Sequence, residues 1–87
     1  MTWWWLSFVD PRTGKWLGCT VVNAMDEFAA VKVSHALGVN PGGEVAFQKI
    51  VTDVKPPVEL LEQLVTDRVD AQVHGRRWVE GMEGMFV

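Results

Sequence analysis

The chain has 87 residues, 8 basic against 11 acidic side chains for a net charge of −3 at pH 7, and a single cysteine. That balance lacks the basic footprint of a protein that grips duplex DNA or RNA, and one cysteine allows neither an internal disulfide nor a cysteine-based zinc site. No apolar run approaches the roughly 18 residues of a membrane span, so the chain reads as one small α+β domain, residues 1–87, in a cytoplasmic setting.

The run WWWLSFV has no basic residues ahead of it and is broken by Ser7, so it does not read as a signal peptide. Thr2 to Val9 reads as a strand. Side chains alternate along a strand, so Trp3 and Trp5 point one way and Trp4, Leu6 and Phe8 the other. Both faces then need cover, and Trp4, on the longer apolar row, is expected to be the deepest of the three. The segment DPRTG at 10–14 is turn chemistry, and 15–24 reads as the returning strand of a hairpin. Asp26 is placed as the N-cap of a helix over 27–37, with Ala29, Val33, Ala36 and Leu37 as its apolar stripe and Gly38 closing it. Asn40 to Gly43, NPGG, has the order of a type II turn. A third strand over 44–51 carries Val45 and Phe47 on one face and Ala46 and Ile50 on the other.

Two prolines at 56 and 57 mark a linker. Beyond it the pattern predicts two short helices, 58–65 with Leu60, Leu61, Leu64 and Val65 as its apolar side, and 67–74 closed by Gly75. Residues 58–87 thus form a helical extension ending in a Gly/Met tail. The expected fold is a three-stranded sheet in β-β-α-β order, strand order 2-1-3, with one main helix and two short C-terminal helices. A crossover over the central strand is what favours that order.

The segments Trp5 to Phe8, Leu17-Gly18 and Leu37 to Val45 resemble a group of short proteins from bacteriophages and bacteria. These share a first strand ending in WLSF-D, a Leu-Gly pair in the returning strand and a helix ending in LG-NPGGEV. The resemblance covers about the first half of the chain and carries no activity or functional residue with it. It implies a phage accessory protein acting against bacterial defence in the host cytoplasm.

No catalytic motif is present: there is no G-x-S-x-G, P-loop or H-E-x-x-H. Cys19 sits in an apolar strand and reads as a structural thiol, and His35 and His74 have no carboxylate or cysteine at a motif spacing. The expectation is a non-enzyme without cofactor or metal. Three features suggest a small anionic, nucleotide-like ligand. Arg76 and Arg77 could hold a phosphate while Trp78 or Trp16 stacks on a base. Asn40, Gly42 and Gly43 could offer backbone donors. Trp3 and Trp5 are expected to face the C-terminal helices, a second copy or the ligand, and an interface with a second copy is expected because so small a chain gains stability by association. Sequestration of a signalling nucleotide by a homo-oligomer is the leading expectation. The alternative is an inhibitor that docks an exposed aromatic face on a host protein. If Arg76 and Arg77 hold phosphate, replacing both with alanine abolishes ligand binding, read by calorimetry. It shifts fold stability by less than about 0.5 kcal/mol.

Overall fold

Three tryptophans in succession lie on the middle strand. In this computed structural model β1 (Thr2–Val9) pairs antiparallel with β2 (Trp16–Ala24) on one side and with β3 (Glu44–Ile50) on the other, giving the order β2-β1-β3. That is the expected 2-1-3 arrangement. Between β2 and β3 runs helix α1 (Glu27–Ala36), and helix α2 (Arg68–Trp78) comes last. The structure describes residues 2–50 and 55–78, and the side chains of Arg76 and Arg77 lie outside the described residues. The Gly/Met tail and most of the linker expected at 52–57 also lie outside them.

β1 is covered on both faces. Trp4, Leu6 and Phe8 join Val22, Ala24 and Ala30 in one cluster beneath α1. Trp5 joins Cys19, Val21, Ile50, Leu60, Ala71 and Trp78 in a second cluster, with Trp3, Trp16 and Val65 packed against it. The expected assignment of faces holds, but the expected depth does not. Trp5 is 3% exposed and Trp4 8%, because the C-terminal segment seals its face more completely than the small side chains of α1 seal theirs. The Trp4 indole N–H still finds a buried acceptor, the Ala24 carbonyl at 3.1 Å.

The hairpin is closed by Asp10. Its carbonyl accepts from Gly14 N–H at 2.8 Å, its N–H donates to the Lys15 carbonyl at 2.8 Å, and its carboxylate accepts from Arg12 N–H at 2.9 Å. Beyond the turn the register slips: Phe8 opposes Gly18, but Val9 opposes Trp16. Leu17 is thus the extra residue of a β-bulge. The bulge turns Trp16 onto the C-terminal face and Leu17 onto the α1 face.

α1 begins and ends as the sequence predicts. Asp26 Oδ1 accepts from Ala29 N–H at 2.7 Å, satisfying one of the helix's first free donors. At the other end Gly38 N–H donates to the His35 carbonyl at 3.1 Å and Val39 N–H to that of Ser34 at 3.0 Å, with Gly38 at φ +73°. This is a Schellman closure, and Val39 is the buried apolar residue that accompanies it. The buried stripe differs from the expected one: Ala30 and Ser34 lie deepest, Ala29 and Val33 beside them, and Ala36 and Leu37 are exposed. Ser34 can be buried because its hydroxyl donates to the Val31 carbonyl at 2.6 Å and accepts from Asn40 Nδ2 at 3.1 Å.

The two short C-terminal helices are replaced by one helix and an extended segment. Residues 58–65 form a turn at 58–60 and then run along the outer edge of β2. Cys19 and Val65 exchange backbone hydrogen bonds at 2.9 Å in both directions, Val21 N–H donates to the Leu60 carbonyl at 3.2 Å, and Glu62 N–H donates to the Val21 carbonyl at 2.9 Å. Cys19 and Val21 are fully buried, so their outward backbone groups need partners that water cannot supply. That demand overrides the local helical pattern. Gly18 makes the close approach possible: a Cβ there would lie 2.9 Å from Leu64 Cδ1 and 3.0 Å from the Val65 carbonyl oxygen. The final helix passes through Gly75, which is buried within it, and continues to Trp78.

Because both indoles are core, Trp4→Ala and Trp5→Ala are each expected to cost about 3–5 kcal/mol. Chemical denaturation read by far-UV dichroism measures this. A Trp5→Ala protein as stable as wild type would show that the C-terminal segment is not the cover of that face.

Candidate functional site

The described side chains that the sequence suggests for an anionic ligand are engaged within the chain itself. Trp16 is half-buried; its indole N–H donates to Ser7 Oγ at 2.9 Å, and the Arg68 guanidinium carbon lies 5.2 Å from its ring centroid. The ring's stacking face is therefore occupied by a cation of the same chain. Trp78 is 5% exposed inside the second core cluster. It lies ten residues beyond Arg68 on α2, about 15 Å along the helix axis. Arg76 and Arg77 fall in the last turns of α2, and their side chains lie outside the described residues. Trp5, expected to face the C-terminal helices, a second copy or the ligand, is covered by the chain's own Leu60, Ala71 and Trp78, and Trp3 is half-buried against the same cluster.

The NPGG turn sits at the Val9 end of the sheet and serves the fold first. Asn40 Oδ1 accepts from Gly42 N–H at 2.8 Å while its Nδ2 donates to Ser34. Gly42 and Gly43 have φ of +88° and +76°, and a Cβ on Gly43 would collide with the Val9 carbonyl. Together with the hairpin turn it walls an open groove of about 450 Å³ lined by Asp10, Pro11, Arg12, Leu17, Pro41 and Gly43. The Arg12 guanidinium is 3.8 Å from the Asp10 carboxylate and almost wholly solvated. A carboxylate on the groove wall works against an anion there.

The one thiol of the chain is withdrawn from solvent. Cys19 is fully buried, and burial pushes its thiol up to about 12, so no thiolate forms near neutral pH. His35 is exposed on α1, whereas Cys19 packs on the opposite face of the sheet, so the fold keeps these two apart. His74 is half-buried, with Nδ1 buried and without a hydrogen-bond partner among the described residues. No group of three or more His, Cys, Asp or Glu among the described residues is placed to hold a metal ion, and no described helix is long and apolar enough to cross a membrane.

The feature with unspent binding capacity is β3. Among the described residues it is paired on one side only, by β1, whereas the outer edge of β2 is closed by residues 60–65. Glu44, Ala46, Phe47, Gln48 and Lys49 are all exposed, and only Ile50 is buried. Phe47 is 45% exposed, with its ring edge-to-face on Trp4 at a centroid distance of 6.4 Å. The order 2-1-3 expected from the sequence already puts β3 at an edge; what the sequence does not mark is that this edge stays open among the described residues while that of β2 is covered. The signal that could have found it is the pair of end charges, Glu44 and Lys49, which suit an edge.

No protein-family model, no curated protein and no solved structure matches this chain.

The buried thiol makes a direct prediction. Alkylation of Cys19 by iodoacetamide at neutral pH is expected to be slow in the native protein and fast in denaturant. Its folded pKa is raised, so its contribution to stability is intact below the ordinary value of 9.0 and is lost as pH rises toward about 12. Urea midpoints measured across that window are expected to fall in wild type and to fall less in Cys19→Ala.

Proposed function

We propose that the protein acts by binding another polypeptide and not by catalysis, and that the binding element is the open edge of β3. An extended segment of the partner adds as a further strand: its backbone satisfies the outward N–H and C=O groups of β3, and Phe47 supplies the apolar contact beside the ladder. The single observation that carries this reading is the one-sided pairing of a largely exposed strand with a half-exposed phenylalanine at its centre. The resemblance to phage proteins gives it a biological setting, an accessory protein that inhibits a component of bacterial defence in the host cytoplasm.

Sequestration of a nucleotide-like ligand finds less support. It rests on Arg76 and Arg77, since Trp78 is core, the Trp16 ring is occupied by Arg68, and Asn40 is committed to its own turn.

Benzoylphenylalanine placed at Phe47 and, separately, at the exposed Val69 of α2 tests the edge in producing cells. Irradiation is expected to give a defined cross-linked polypeptide from position 47 and none from position 69. Equal or absent adducts from the two positions would remove the edge from consideration.

A further inference from the structure

We propose that the partner strand is β3 of a second copy, paired antiparallel across a two-fold axis through Phe47, so that two three-stranded sheets become one continuous sheet. This inference rests on the reading of β3 as the binding edge. A closed dimer needs a self-complementary patch, in which residue i of one copy meets residue j of the other and the reverse. In an antiparallel pair, opposed side chains lie on the same face of the sheet. A two-fold axis normal to the sheet therefore passes through the midpoint of a residue pair and brings one residue opposite itself. β3 has seven described residues, Glu44–Ile50, and the middle one is Phe47. The register that pairs the whole strand is therefore also one that symmetry allows. It opposes Phe47 to Phe47, Ala46 to Gln48, Val45 to Lys49 and Glu44 to Ile50. Any other allowed register leaves part of the edge unpaired.

The chemistry of the strand agrees with this choice. The central pair is aromatic, the most favourable kind of cross-strand neighbour, and each Phe47 ring already rests on a Trp4. Self-pairing therefore joins two Trp4–Phe47 pairs into one aromatic row and removes a half-exposed ring from water. Antiparallel pairing sets Glu44 opposite Ile50 and Lys49 opposite Val45, on opposite faces of the sheet, so no like charges meet across the ladder. A parallel pairing would bring like charges together. No other described edge competes, because the backbone groups of β2 are taken by residues 60–65.

Sedimentation equilibrium of the purified chain over a concentration series tests the assembly. The expected limiting mass is twice the 9.8 kDa of the chain. Phe47→Lys and Phe47→Glu are each expected to weaken the dimer by about tenfold or more, since each places a charge opposite itself. Mixing the two variants in equal amounts is expected to restore it, which happens only if residue 47 faces residue 47. Far-UV dichroism checks that each variant is folded. If one is not, Phe47→Cys replaces it, and oxidation is expected to give a disulfide-linked dimer, with native Cys19 too buried to contribute. A wild-type chain that stays monomeric but still gives position-47 cross-links to another polypeptide overturns self-pairing and leaves the edge reading standing. A monomer without such cross-links removes both. A dimer unaffected by Phe47→Lys, a mixture that fails to reassociate, or a Phe47→Cys protein that does not cross-link places the dyad elsewhere and overturns the inference.

Discussion

A strand that carries Trp3, Trp4 and Trp5 in succession presents an indole to each face, and neither face can be left in water without forfeiting the burial that holds so small a chain together. The rest of the chain is arranged around that demand. α1 spans the face of Trp4, Leu6 and Phe8, where Ala29, Ala30 and Ser34 keep its surface low enough to lie close. The opposite face is too far from α1 to share it. It is closed by residues 60–65 and by Ala71 and Trp78 of α2. The two layers share one strand, so loosening either exposes a tryptophan of the same β1.

Covering Trp5 from the C-terminal side has a second effect, on the edges of the sheet. The segment that delivers Leu60 to the core has to pass along β2, and in passing it takes up the outward backbone groups of Cys19 and Val21. Nothing comparable reaches β3 among the described residues. The asymmetry thus follows from where the second layer enters. One edge is closed as a by-product of building the core, and the other keeps its pairing capacity.

Much of the fold could be read from the residues. Alternation along Thr2–Val9 gave the two faces correctly, Asp26 and Gly38 bounded α1, and the connection between β2 and β3 implied the strand order. What the sequence hid depended on contacts between distant segments. Leu60, Leu61, Leu64 and Val65 have helical spacing, yet the buried amides and carbonyls of β2 claim that backbone. Gly75 resembles a helix stop, yet Trp78 lies three residues further on and draws the helix past it into the core. The candidate site was less legible. Trp16 and Trp78 have the side chains of a stacking platform, and only their surroundings, Arg68 for one and the Trp5 cluster for the other, show them to be structural. The order 2-1-3 placed Phe47 on an edge strand, but nothing local to it told that the edge of β2 would be covered and that of β3 left open among the described residues.

The bulge at Leu17 has a consequence for how this protein can vary. Elsewhere in β2, losing one residue would turn every later side chain over and send one core's residues to the other. Leu17 is the exception: without it Trp16 still stands opposite Val9, on the same face and beside Ser7. What would disappear is the apolar wall that Leu17 gives to the groove beside Gly43. A length change at this single position could thus reshape the mouth of the hairpin while the tryptophan layers stay in register, which leaves that groove freer to diverge than any other part of the strand.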